Sequence, residues 1–223
     1  MSKNALIVCP LVKSEDCSEV YSLRTYDLTI AVDAGAEWFR GLEVTPDFAV
    51  GDFDSTDSKT FTWLEESGTQ IKQVSHDKEF SDLELALALC EQQGIRTAII
   101  IGALGGRIDH QLCVLGALQK STIPQLVLKG KNQTARLLRT EEVLVLNGQD
   151  NSGTFSVIAL ESATVSIQGA RWNLDRRQLT PFSSVGLSNE YAAGDVSIRV
   201  HFGSALIICN DLLYYDSWNL RES

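Results

Sequence analysis

The chain has 223 residues, 44% hydrophobic and 22% charged, with a formal net charge of −10. That describes an ordinary globular protein of one large or two modest domains, and the acidic balance argues against a general nucleic-acid binder. No apolar run approaches the roughly 18 residues that cross a bilayer, and the first residues lack a signal-peptide pattern, so no membrane role is expected.

Residues 5–9 form a continuous apolar run closed by Pro10, as expected of a strand buried on both faces. A second run at 28–32 ends in Asp33-Ala34-Gly35-Ala36, and a helix is expected through Trp38 and Phe39. The next strand, 48–50, leads into Gly51-Asp52-Phe53-Asp54-Ser55. If this segment stays extended, Asp52 and Asp54 point to one side and Phe53 to the core. Two carboxylates that close repel each other unless a positive charge lies between them. A hard divalent cation such as Mg²⁺ answers that need. The bland alternative is a loop in which Asp54 or Ser55 caps the next helix.

Further along, a helix at 58–66 stops at Gly68, and a short strand covers 70–75. Ser81-Asp82-Leu83-Glu84 is a capping box opening a helix over 83–92 that ends at Gly94. A β-branched strand follows at 97–101. Gly102-Ala103-Leu104-Gly105-Gly106-Arg107 then leads into a helix at 107–118, and one more strand spans 125–129. Alternating strands and helices imply a parallel sheet covered on both faces.

Past residue 131 the pattern changes to short strands at 143–146, 154–160, 163–168, 196–202 and 205–209, separated by Gly, Asn and Asp turns. The expected fold is thus α/β plus all-β. An N-terminal parallel-sheet α/β nucleotide domain (1–132) is followed by a C-terminal antiparallel β-sandwich (133–223), with the boundary in the basic stretch 130–140. Five cysteines show no Cys-x-x-Cys spacing, which speaks against a disulfide framework and a zinc site. Cys9, Cys90, Cys113 and Cys209 read as buried free thiols and Cys17 less clearly so, in keeping with a reducing, cytoplasmic setting.

The chemistry-bearing residues of the first half all follow strand ends. Asp33 follows the second strand, Asp52 and Asp54 the third, Asp77 and Asp82 the fourth, and Gly105, Gly106, Arg107 and Asp109 the fifth. Open parallel sheets bind ligands along that edge. The glycine-rich turn can bring backbone N–H groups to a phosphate, and Arg107 can grip it bidentately. Each feature alone has a plainer reading. Asp82 suits a helix N-terminus, Lys78 can be a solvated loop residue, and His110 can be structural. His76 and His201 carry no metal-ligand spacing and are assigned no chemistry.

Taken together, Asp33-Ala34-Gly35-Ala36, the segments 46–55 and 77–87, Gly102 to His110, Gly169-Ala170-Arg171-Trp172-Asn173-Leu174 and Gly186-Leu187-Ser188-Asn189 resemble the successive signatures of thiamine pyrophosphokinases. The resemblance covers nearly the whole chain. It implies transfer of a pyrophosphoryl group from ATP to thiamine with release of AMP, dependence on Mg²⁺, and a homodimer with shared active sites. By that resemblance Asp52, Asp54 and Asp82 hold Mg²⁺, and Arg107 and Asp109 manage the triphosphate and the incoming hydroxyl. Asp33, Lys78, Gly105, Gly106 and His110 lie on the ATP side, and Trp172, Ser188 and Asn189 meet the thiamine rings. The family often has Asp-Gly-Gly-Ala at residues 33–36, Lys-Asp-x-Thr-Asp at 78–82 and Ser-Thr-Ser-Asn at 186–189, and this chain departs from each. A pyrophosphokinase acting on another alcohol such as a pterin, a nucleotide-sugar transferase and a non-catalytic nucleotide-sensing module are the alternatives.

Overall fold

The computed structural model describes residues 3–12, 26–75, 79–130, 132–148, 153–192 and 194–210. The chain divides into two compact units, Met1–Gly130 and Lys131–Ser223. Cys17, His76, Asp77 and Lys78 lie outside the described residues.

The first unit alternates strand and helix as its sequence pattern requires. Its elements are β1 (Asn4–Val8), β2 (Leu28–Val32), α1 (Gly35–Gly41), β3 (Phe48–Gly51), α2 (Ser58–Ser67), β4 (Gln70–Gln73), α3 (Asp82–Gln92), β5 (Thr97–Ile101), α4 (Ile108–Lys120) and β6 (Gln125–Lys129). All strand pairs are parallel, in the order β6-β5-β1-β2-β3-β4. Strands β2 and β5 are buried at every position, which explains their unbroken apolar runs. The edge strand β4, Gln-Ile-Lys-Gln, is polar and largely exposed, a composition that discourages further pairing.

Helix ends follow local chemistry. Asp57, and neither Asp54 nor Ser55, caps α2 by accepting from the Lys59 and Thr60 N–H groups, and Gly68 ends that helix in the left-handed conformation. The expected capping box is present at α3: Ser81 Oγ accepts from Glu84 N, and Glu84 reaches back to Ser81 N. The helix begins at Asp82, one residue earlier than expected.

The second unit holds two antiparallel sheets. One runs β12 (Asn189–Glu190), β9 (Thr154–Ala159), β14 (Ser204–Cys209), β7 (Thr134–Arg139). The other runs β11 (Leu174–Leu179), β10 (Ala163–Gln168), β13 (Val196–Phe202), β8 (Val143–Leu146). Inward residues of both sheets, among them Leu138, Leu146, Phe155, Val157, Ile167, Ile198 and Ile207, make one core. The α/β unit followed by an antiparallel sandwich is the architecture expected.

Three strands were not legible. Strand β7, Thr-Ala-Arg-Leu-Leu-Arg, lies inside the basic stretch read as a boundary, yet five of its six residues are buried, Arg136 included. Strand β11, Leu-Asp-Arg-Arg-Gln-Leu, is an edge strand whose polar residues face water, and β12 is only two residues long. Cys9, Cys90 and Cys209 are buried, whereas Cys113 is exposed on α4, contrary to expectation. An apolar neighbourhood in sequence did not place it on the buried face of that helix. Among the described residues no helix is long and apolar enough to cross a membrane.

Phe155 is fully buried, with the Tyr191 ring 5.3 Å away between centroids. Phe155→Ala should lower the stability of the second unit by about 3–5 kcal/mol. Urea unfolding followed by circular dichroism measures this; a loss below about 1 kcal/mol would show that this core collapses around the gap.

Candidate active site

The loops after β2, β3 and β4 bring carboxylates together at the carboxyl edge of the parallel sheet. Asp33 turns out of β2 with a left-handed φ of 44°. Its N–H donates to Val50 O at 3.0 Å, and its Oδ1 accepts from Phe53 N at 3.3 Å. Gly51 makes this fit possible, because a Cβ there would drive into Asp33 Oδ1. Phe53 then adopts φ 59°, unusual for a bulky residue, with its buried ring 5.3 Å from Phe61.

That turn corrects the simple picture of residues 52–54. The strand ends at Gly51, so the i, i+2 rule of an extended chain does not set the directions of Asp52 and Asp54. Asp54 N–H donates instead to Asp52 Oδ1 at 3.1 Å, a local turn that holds the two residues together. Phe53 does face the core, as expected.

Asp82, the first residue of α3, lies near enough to Asp33 to act on its carboxyl by charge and by side-chain hydrogen bonding. Burial chiefly, then the charge of Asp82 and more weakly that of Asp52, pushes Asp33 up to about 7. Cys9, at the end of β1, is pushed up to about 12 by burial and by the same two aspartates, Asp33 and Asp82. Its thiol is therefore inert packing beneath the acids and not a nucleophile. Asp33 is thus more central than its sequence context suggested, because the loops that crowd it meet only through the strand order β1-β2-β3-β4.

A cation suits this donor set. Among the described residues no three His, Cys, Asp or Glu groups are gathered as around a bound ion. Mg²⁺ needs only one or two carboxylates and completes its octahedron with water and phosphate oxygens. Asp33, whose carboxyl Asp82 and Asp52 push up and a dication would let ionise, and Asp82 are the groups best suited to hold one, with Asp52 and Asp54 beside them.

The glycine-rich turn after β5 packs against the loop after β1. Leu11 N–H donates to Gly102 O at 2.9 Å, and a Cβ on Gly102 would strike Cys9 O and Val12 N. Gly105 and Gly106 are exposed at the mouth of the turn. Arg107 sits at the N-cap of α4, with Nε 3.1 Å from Asp109 Oδ1 and an NH2 contact of 2.6 Å to Oδ2. This bidentate pair is largely exposed, with side chains 72% and 61% accessible, so it adds little stability. Arg107 holds the Asp109 carboxyl down to about 2, which makes it a weak base while the pair is closed. His110 is exposed and lends its backbone N–H to Asp109 Oδ1 at 3.0 Å.

In the second unit Trp172, Ser188 and Asn189 share one corner. Trp172 is half exposed and is therefore not ordinary core packing. Buried Asn189 clamps the turn beneath it: Oδ1 accepts from Trp172 N at 3.1 Å and Glu190 N at 2.9 Å, and Nδ2 donates to Trp172 O at 2.7 Å. Asn189 therefore orients the indole, and its amide points at backbone. Ser188, exposed with φ 53°, is fixed by its N–H donating to Ser156 Oγ at 3.0 Å. Arg171 and Glu190 escaped the sequence reading. The Arg171 guanidinium lies 4.7 Å from the Trp172 ring centroid and pairs with Glu190 at 2.7 Å.

Comparison with known proteins points the same way for both units. Residues 21–128 match "Thiamin pyrophosphokinase, catalytic domain" and residues 142–207 match "Thiamin pyrophosphokinase, vitamin B1 binding domain". Thiamine pyrophosphokinase 3 of Oryza sativa subsp. japonica is 27% identical over 172 residues, covering 73% of this chain and 64% of the relative. Thiamine pyrophosphokinase 2 of the same plant is 26% identical over 165 residues, covering 69% and 61%. The matched stretch thus spans less than two thirds of these relatives' length. The crystal structure of thiamine pyrophosphokinase from Bacillus subtilis shares the fold, with a TM-score of 0.79 at 24% identity over 95% of this chain and 100% of that one. A thiamin pyrophosphokinase family protein from Enterococcus faecalis gives 0.79 at 21% identity, covering 94% and 99%.

The raised Asp33 carboxyl predicts a pH signature in metal-free protein. Asp33 keeps its proton up to about 7 when folded, against an ordinary value of 3.8. Between those values the folded state binds the extra proton, so this contribution to stability is full below the window and lost as pH rises through it. In EDTA the urea midpoint should fall from pH 5 to pH 8, and Asp33→Asn should flatten the slope. An unchanged slope in that variant would remove Asp33 as its source.

Proposed function

The chain belongs to the thiamin pyrophosphokinase family, and on that premise we propose that it transfers a pyrophosphoryl group from ATP to the hydroxyl of thiamine, releasing AMP, with Mg²⁺ as cofactor. The observation that carries the proposal is the meeting of Asp33, Asp52 and Asp82 at the carboxyl edge of a parallel sheet. Mg²⁺, when bound, supplies positive charge to the phosphate oxygens and lets neighbouring carboxylates ionise together.

In the proposed reaction the thiamine oxygen forms a bond to the β-phosphorus while the bond between that phosphorus and the α-phosphate oxygen breaks. AMP leaves, and the hydroxyl proton passes to a carboxylate. Asp33 and Asp82, with Asp52 and Asp54 beside them, would hold the cation, and the turn at Gly105 and Gly106 would receive the triphosphate, with Lys78 and His110 on the ATP side. Arg107 moves from Asp109 to the phosphate oxygens, where its planar fork grips two of them. Released from that guanidinium, Asp109 recovers basicity and accepts the proton. The base is therefore competent only with phosphate in place. Trp172 offers the ring face not taken by Arg171 to the cationic thiazolium, with Ser188 beside it and Asn189 fixing its turn. A homodimer with shared active sites belongs to the same proposal, and sedimentation equilibrium checks the dimer.

Mass spectrometry of ATP incubated with thiamine and a panel of other alcohols, a hydroxymethylpterin among them, tests the reaction. AMP should appear together with thiamine diphosphate. Product from another alcohol instead would reassign the acceptor, and hydrolysis or binding without transfer would exclude a pyrophosphokinase.

Asp52→Asn and Asp54→Asn should each lose most turnover at limiting Mg²⁺ while circular dichroism is unchanged. Arg107→Lys, which keeps charge but not the fork, should slow turnover about tenfold or more. A near-normal rate in any of the three would remove that residue from the assignment. Trp172→Ala should raise KM for thiamine by about 2- to 30-fold, corresponding to roughly 0.5–2 kcal/mol of ring stacking, and leave KM for ATP nearly unchanged. Equal changes in both constants would point to a general loss of structure.

A further inference from the structure

The four-stranded sheet of the second unit breaks its regular pairing on both sides of β10, at Ser166 toward β11 and between Thr164 and Val165 toward β13. Along β11, Val165 pairs with Arg177 and Ile167 with Leu174, so Asp175 and Arg176 together oppose Ser166. Along β13, Thr164 pairs with Phe202 and Val165 with Val200, which leaves His201 as an extra residue. Each break is a β-bulge, a device that bends a strand and re-aims a side chain. Arg176 is held at φ 41°, where glycine is usual and arginine is strained.

The two bulges assemble a chain of donors. Arg176 N–H donates to Ser166 Oγ at 2.9 Å. His201 Nε2 lies 2.8 Å from the same oxygen, and Arg176 NH1 lies 3.3 Å from His201 Nδ1. A guanidinium only donates, so Nδ1 is the acceptor and Nε2 carries the proton. His201 therefore donates to Ser166 and cannot serve as its base. With two donors on its oxygen, Ser166 directs its own O–H elsewhere, and no acceptor for it stands among the described residues.

Charge gathers on the same sheet. Strands β8, β10, β11 and β13 carry Arg176, Arg177, Arg199 and His201 against Asp175 as their one acid, within a chain of net charge −10. Arg199 pairs directly across from Ser166 and so shares its face, while its ion pair with Glu141 is loose at 3.8 Å. Donors from three strands lie on this face, with the Glu141 carboxylate 3.8 Å from Arg199. They suit a group with oxygens on several sides, as a phosphoryl group has, better than a planar carboxylate. We propose that Ser166, Arg176, Arg199 and His201 form a second anion site, separate in its residues from the carboxylate cluster, that binds the phosphoryl group of a small molecule.

The chain has three histidines, so imidazole proton NMR of the full chain reads this site directly, with His201→Gln assigning the signal. In EDTA, inorganic phosphate should shift the His201 resonance saturably, and chloride at matched ionic strength should not. Arg176→Gly keeps the backbone the bulge needs and removes the guanidinium; it should weaken the phosphate response at least about tenfold. Ser166→Ala should weaken it as well, which keeps the test decisive if the glycine variant folds poorly. A phosphate monoester run alongside separates sources: tighter binding than inorganic phosphate assigns the site to an esterified metabolite, equal binding to free phosphate. No His201 shift up to tens of millimolar phosphate, an equal response in both variants, or a shift confined to His76 or His110 would each overturn the proposal.

Discussion

Carboxylates that repel one another occupy the one place where a parallel sheet gathers its loops, and the first unit is arranged around containing that repulsion. Asp33 is half-buried against Val50, Phe53 and Asp82, and without a cation it remains tolerable only by keeping a proton to a pH of about 7. The left-handed turns at Asp33 and Phe53 and the bare backbone at Gly51 maintain this crowding. Strain and like charge at one location mark this edge as the candidate site. Cys9 extends the same logic below the cluster, since a thiol that stays neutral adds no further charge.

The polar groups of the Trp172 corner are satisfied differently. Asn189 is buried with its amide bonded to the backbone of the Trp172 turn and of Glu190, so it spends its donors and acceptor on shape. The indole it positions is left half exposed, with a guanidinium on one face. One unit thus holds concentrated negative charge and the other a presented aromatic surface, a division that fits a reaction joining an anionic donor to a cationic acceptor. Arg107 and Asp109 illustrate the same economy on the surface. Each neutralises the other.

Much of this was legible in the residues. Unbroken apolar runs announced the buried parallel strands, and the capping box announced α3. The misses have physical reasons. Strand β7 hid because Arg136 sits buried in its middle, and burial of a charged residue is a tertiary decision that composition argues against. Strand β11 hid because an edge strand facing water needs no apolar alternation. Cys113 was misplaced because a run of apolar residues on a helix does not say which of them turns outward.

By itself the sequence determined the two fold classes, the order of elements and the loops that carry acid, glycine and arginine, since propensity, capping and periodicity act over a few residues. Tertiary structure alone decided which of those residues meet. It put Asp33 against Asp82, ended β3 at Gly51 so that Phe53 turns the chain, and pointed Asn189 inward under Trp172. It also brought Ser166, Arg176 and His201 together through two bulges. Such meetings depend on strand order, register and the placing of a single extra residue, and those are settled by packing across the whole sheet, which local sequence does not record.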